Sequence, residues 1–323
     1  MSATLAVTWL VHWVGFIALA AMIGGLVVDL LVLPADALAV LAARRRLRAL
    51  GVGAAVVLLL SAGGELWLRA GTMSGGGPEL ALRAVPTVLR HTHFGSVWIA
   101  RAAALLVLLP LLISRSAGLR RLAALVALGV VLSMSLTGHA GDWGDVSLPV
   151  GIDWAHAVAA TAWTGGLLTL LVVVLPSATR WPSPLVVALI RRFSRLAAWC
   201  LALVALSGVY NAWLQLATAS ALWQTGYGRV LGAKVLVVLA LAFFGAANRY
   251  TVLPGLGAER AAGAVPSRLV TYVAAETGLA IVVFACTAVL VDSTPGRHAR
   301  HLEHHGAHEA ARPPMAELGR LSR

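Results

Sequence analysis

The sequence predicts an all-α, polytopic membrane protein of about eight transmembrane helices, built as two parallel four-helix repeats. Three observations carry this. Hydrophobic residues make up 59% of the chain against 12% charged, with a mean hydropathy of +0.86, far outside the balance of soluble domains. Arginines collect in alternate loops, and the second half of the chain repeats landmarks of the first.

Apolar runs long enough for roughly 30 Å of hydrocarbon need about 20 residues. They fall at 5–33, 50–70, 94–114, 119–138, 151–175, 193–216, 229–248 and 268–291. The first has no basic stretch before it, exceeds the length of a signal-peptide core and lacks a small-residue cleavage site, so it is expected to remain as an anchor. Cys200 and Cys286 lie inside apolar runs without a CxxC pattern, which points to buried thiols rather than a disulfide or a thiolate metal site.

The net charge of +12 is explained by topology and not by nucleic-acid binding. Arg44, Arg45, Arg46 and Arg48 follow the first run, and Arg115, Arg120 and Arg121 separate the third and fourth. Arg180, Arg191, Arg192 and Arg195 precede the sixth, while Arg249, Arg260 and Arg268 lie between the seventh and eighth. All four groups fall on one side of a bilayer, which the positive-inside rule makes cytoplasmic. Both termini and the loops 71–93, 139–150 and 217–228 are then outside. Trp9, Trp13, Trp67, Trp143, Trp154, Trp213 and Trp223 sit near outward ends, as an interfacial aromatic belt does. The expected location is a bacterial plasma membrane, with the lipid bilayer as the principal partner.

The duplication aligns SAGGELWL at 61–68 with SGVYNAWL at 207–214, and Arg45 and Arg46 with Arg191 and Arg192. Thr92, Phe94, Gly95 and Arg101 recur as Thr225, Tyr227, Gly228 and Lys234. Gly24 and Gly25 before Leu33 and Pro34 recur as Gly165 and Gly166 before Leu175 and Pro176. An even number of spans per repeat keeps both halves in the same orientation. The expected division is a first repeat over 1–138, a second over 139–293 and a histidine-rich tail over 294–323. The paired glycines let helix backbones approach closely.

Arg101 and Lys234 lie about two turns inside their spans, where a central charge costs about 2.5–3.5 kcal/mol. Glu65 and Asn211 occupy equivalent positions opposite them, so a Glu65 to Arg101 ion pair is expected. Glu276 in the last span is expected to face the bundle interior.

Histidines supply the functional signal. His12, His91, His93, His139 and His156 all fall at the outward side, and imidazole is the commonest ligand for borderline transition metals. His139 ends the fourth span and His156 begins the fifth, sharing a helix face with Trp163. His12 lies on the first span, the counterpart of the fifth, so these three are expected to approach one another between the halves. His91 and His93 project to one side only if their segment is extended. A single intramembrane histidine is equally a bonded packing residue, so the argument rests on shared depth. Met134 and Met22 are candidate soft ligands, which would favour Cu(I), although helix methionines ordinarily fill gaps. Asp142, Asp145 and Asp153 would draw cations to this mouth. The tail adds His298, His301, His304, His305 and His308 in a disordered tract suited to loose capture of metal.

These residues together resemble the copper resistance protein D (CopD) family of bacterial inner-membrane proteins. The resemblance rests on Thr92, Phe94, Gly95, Trp98 and Arg101, on GHA at 138–140, and on His156, Trp163, Gly165 and Gly166. RRFSRLA at 191–197, YGRVLGAK at 227–234 and Glu276 continue it, with 191–293 as the CopD-like core. It implies copper passage or delivery across the plasma membrane with a periplasmic CopC-type partner, and metal roles for His139 and His156. The chain contains no CopC-like β-sandwich, so such a partner would be a separate protein. No nucleotide-binding G-x4-G-K-[ST] motif is present, and a non-enzymatic transporter that takes copper from the outer side is the leading expectation. A b-type haem electron carrier and a copper chaperone for oxidase assembly are the alternatives.

Overall fold

The computed structural model describes residues 3–34, 37–75, 77–216, 218–257 and 265–295. It is 88% helical, with no strand among the described residues, and the protein is an all-α polytopic membrane protein. Eight segments are long and apolar enough to span a bilayer: Ala3–Val32, Leu38–Ser74, His93–Ile113, Ala117–Thr137, Leu148–Ala178, Ser183–Leu216, Gly226–Val252 and Ser267–Val291.

The helices are α1 (Ala3–Val27), α2 (Leu41–Ser74), α3 (Pro78–His91), α4 (His93–Ile113), α5 (Ala117–Thr137) and α6 (Leu148–Thr169). They continue as α7 (Leu175–Ala178), α8 (Ser183–Leu216), α9 (Ala221–Gln224), α10 (Gly226–Ala247) and α11 (Ser267–Val291). Chain alternation gives the bundle an arginine-bearing end and a histidine-bearing end. Both α2 and α8 have 34 residues, about 50 Å of helix, and start further toward the arginine-bearing end than the apolar runs indicate. Ala, Leu and Arg are strong helix formers, so the helix persists after hydropathy fades. The loop expected at 71–93 contains α3, which starts at Pro78 with Glu79 in its first turn and ends with Arg90 and His91. That charge order complements the helix dipole. Its buried Val88 clusters with Leu66, Ala70 and Phe94.

The first and fifth spans form the centre, with 67% and 72% of their most apolar windows buried against 6% in the seventh. Their contact is backbone on backbone. A methyl on Gly24 would collide with the Gly165 carbonyl group, and one on Gly165 with the Ala20 carbonyl. Gly25, by contrast, faces open space. Both spans then pass into a π-helical turn, Val28–Val32 and Leu170–Val174, followed by Leu-Pro steps at Leu33 and Leu175. Pro cannot donate an i→i−4 hydrogen bond, which loosens the register there. From the first π turn Asp29 reaches Arg44 Nε at 3.0 Å and Arg120 Nε at 2.9 Å, tying α1 to α2 and α5. Arg192 donates to the Val32 carbonyl from α8.

α4 and α10 start in the same local form. Thr92 and Thr225 each cap the helix by accepting from Gly95 N and Gly228 N, both at 2.9 Å, and each donates back to the residue four before it. Gly95 and Gly228 lie so close to the preceding backbone that a Cβ would strike the Val88 and Ala221 carbonyls. Counting six residues on, Arg101 and Lys234 enter their spans at the same depth. Arg101 is fully enclosed, paired with Glu65 at 2.7 Å as the sequence predicts. It also donates to Ser133 Oγ, the Ser133 carbonyl and Thr137 Oγ1 at 2.9, 3.1 and 2.9 Å. Every guanidinium nitrogen has an acceptor, which is what makes such a charge tolerable in a bundle.

Two outcomes test this frame. Gly165→Ala should lower thermal stability in detergent by about 1–3 kcal/mol, the range for forced overpacking, while Gly25→Ala should leave it unchanged or slightly raised. Glu65→Ala should cost about 3 kcal/mol by stranding Arg101, measured by thermal unfolding of the purified protein.

Candidate metal-binding face at the histidine-bearing end

The histidines divide into separate settings. His12 Nδ1 donates to Asp292 Oδ2 at 3.1 Å, just past the end of α11. His139, in the turn after α5, donates from Nε2 to the Leu290 carbonyl at 3.3 Å and sets its ring edge-on to Tyr227. His12 and His139 therefore both dock on the last turn of α11. Trp13 fixes α1 beside it by donating to the Ile281 carbonyl at 2.9 Å.

His156 faces α8. Its Nδ1 lies 2.9 Å from Ser207 Oγ, and the Ser207 hydroxyl itself donates to the Leu203 carbonyl. With its proton so committed, Ser207 accepts from the imidazole, which places the His156 proton on Nδ1 and the lone pair on Nε2. Fixing the tautomer through the far nitrogen is how proteins orient an imidazole ligand. One turn earlier, Asp153 accepts from Asn211 Nδ2 at 3.1 Å and lies in the electrostatic field of Lys234 and His139. Asp153 and His156 both stand near Lys234, and His139 acts on Asp153 alone. Lys234 is in turn coupled to Asp153 and His156.

The differences between the two halves are built from single residues. Twelve positions before the first paired glycine stand His12 in α1 and Asp153 in α6, and nine before it stand Gly15 and His156. Gly15 packs on Ser61, which matches Ser207. One half thus sets an imidazole against the α8 serine where the other has only hydrogen. Likewise Glu65 takes Arg101, whereas Asn211, its counterpart, turns to Asp153 and leaves that carboxylate to balance Lys234.

The other expected residues lie apart. His93 Nε2 is 3.3 Å from Asp145 Oδ1, both about half exposed. His91 ends α3 on the surface, and between the two only Thr92 is extended. Met22 is wholly buried in the apolar cluster with Leu19, Ile23 and Leu58, and Met134 packs against that same cluster. The tail histidines His298, His301, His304, His305 and His308 lie outside the described residues. Among the described residues no three His, Cys, Asp or Glu side chains converge as a metal-binding group. What the geometry supplies is two settings at one end of the bundle: His12, His139 and Asp292 at the end of α11, and His156 and Asp153 against α8.

Two residues of this face escape sequence reasoning. Asp292 is visible only as the first charge after the last span, and Ser207 only as a repeat landmark. Asp29, at the opposite end, is legible as an acidic residue inside an apolar run.

Comparison with known proteins covers His12, His139 and Ser207 of this face, while Asp153, His156 and Asp292 fall outside the matched segments. Residues 1–146 match the family model described as copper resistance protein D-like, N-terminal domain, and residues 187–290 match copper resistance protein D. The chain is 27% identical over 205 residues to the copper transport protein CutJ of Bacillus subtilis (strain 168), covering 59% of this chain and 37% of CutJ. It is 29% identical over 216 residues to the inner membrane protein YebZ of Escherichia coli (strain K12), covering 66% of this chain and 73% of YebZ. The chain therefore spans little more than a third of the length of CutJ. No solved structure matches it. The first matched segment contains His12, Glu65, Arg101 and His139; the second contains Ser207, Asn211, Lys234 and Glu276. With the two models following one another along the chain, this protein belongs to the copper resistance protein D family.

Proposed function

We propose that this protein handles copper at the plasma membrane, taking the ion as a substrate from the histidine-bearing side and passing it inward between two four-helix halves, 1–138 and 139–293. The observation that carries the reading is His156, held through Nδ1 by Ser207 one turn beyond Asp153, which stands in the field of Lys234 and His139. Imidazole donors suit copper, and an imidazole fixed through its second nitrogen is preorganised for it. Membership of the family and the printed name of CutJ support copper as the ion. The arginine distribution supports a cytoplasmic arginine-bearing end, and hence termini and histidines outside.

On this reading the separation of the donors is functional. A passage site binds and releases, so it is better served by sparse donors shared between helices than by a closed cage. Asp153 and Asp292 raise the local cation concentration, while Arg101 and Lys234 set an electrostatic ceiling just below. A separate periplasmic copper-binding protein of CopC type delivers the ion, and the tail histidines capture it loosely. The driving force comes from a partner or an ion gradient, the chain having no nucleotide motif.

The direct test is copper content after copper loading. His139→Ala with His156→Ala should lower it more than deletion of 297–323 does, and equal content in double variant and parent contradicts the site. Ser207→Ala should weaken copper affinity by about tenfold, the lower range for loss of an orienting partner, with the thermal transition unmoved.

A further inference from the structure

A cavity of about 300 Å³ opens between α6, α8, α10 and α11 toward the arginine-bearing end, on the opposite side of Trp163 from the histidines. Its wall is apolar apart from Ser194, Asn248, Arg249, Tyr250 and Glu276. Glu276 is 3% exposed. Its Oε1 accepts from Asn248 Nδ2 at 3.3 Å, and Oε2 has no hydrogen-bond donor among the described residues. Gly245 lies beside Oε2, where a methyl carbon would come within 3.4 Å of it. The glycine keeps that oxygen open to the cavity.

The arginine in the cavity wall does not serve Glu276. Arg249 commits Nη1 to the Ser194 carbonyl and hydroxyl at 2.9 and 3.3 Å, and no cation forms an ion pair with Glu276 among the described residues. Arg249 and Tyr250 are the titratable groups that share the cavity from the α10 side. α6 and α8 present Trp163, Leu167, Phe193 and Ser194, none of which titrates, and Glu276 is the one carboxyl there from α11. Asn248 also opens the π-helical turn Asn248–Val252, a local geometry that recurs at working sites.

We infer that Glu276 is an exchangeable proton site reached through this cavity from the arginine-bearing side. The donor set decides the class of ligand. Hard divalent cations need about six oxygen ligands, and copper selects imidazole or thioether, whereas one carboxyl beside one neutral amide in an apolar wall satisfies neither. A proton needs a single oxygen, and the open Oε2 provides it. The site lies on the same two-sided frame as the histidine face: α6 carries His156 at one end and Trp163, about 10 Å along the helix, at the cavity wall. A proton site and a metal-binding face on opposite sides of Trp163 are what an ion-coupled passage requires.

The test needs no copper, so it stands or falls apart from the metal reading. The full-length protein is treated with dicyclohexylcarbodiimide across a pH series and digested for mass spectrometry. The reagent takes up the proton of a neutral carboxylic acid on nitrogen, and the carboxyl oxygen adds to its central carbon. The adduct rearranges to a stable acylurea carrying the whole reagent mass. Modification at Glu276 should fall about tenfold per pH unit above its midpoint. Infrared difference spectra in light and heavy water should show an exchange-sensitive carboxylic carbonyl band that is absent from Glu276→Gln. Absence of adduct at Glu276 throughout the series, or an adduct independent of pH, overturns the inference. So does an unchanged carboxylic band in the variant.

Discussion

The backbone contact between α1 and α6 is the constraint on which the remaining structure depends. Gly24, Gly165 and Ala20 leave no room for a side chain at the crossing, so the two central helices meet at a single register. In lipid there is little hydrophobic drive to bring helices together, and close packing of small residues takes its place. That register sets His12 on one central helix and Asp153 and His156 on the other at the same end. It also leads both helices into π-helical turns at the opposite end, where Asp29 gathers Arg44 and Arg120. Phe193 of α8 packs where a methyl on Gly166 would stand, so the crossing also fixes the helix that carries Ser207.

Buried charge is handled differently on the two sides of this crossing. In the first half Arg101 is saturated by Glu65, Ser133 and Thr137, a static arrangement that braces α2, α4 and α5. In the second half the corresponding Lys234 has a carboxylate, Asp153, that is shared with Asn211 and stands in the field of His139.

The spans were legible because apolar runs of sufficient length have few other uses, and the Glu65 to Arg101 pair because two charges at matched depth have few other partners. The extra length of α2 and α8 was not legible from hydropathy, since the extension is rich in arginine and continues only by helix propensity. α3 was hidden for the opposite reason: its apolar residues are too few to register as a span, and they are gathered on one face. The histidines were legible as a set and not as an arrangement. Which imidazole finds Ser207, Asp292 or the Leu290 carbonyl depends on helix rotation and crossing, and those follow from tertiary packing that no local pattern encodes.

The proposed function places copper, as substrate, on the membrane-embedded histidine face and not on the tail. Its most direct test is X-ray absorption together with the optical spectrum of protein lacking 297–323, purified after growth with both copper and a haem precursor. Bound copper with imidazole scattering and no Soret band is the expected result. A Soret band with copper absent would contradict it and assign the histidines to haem.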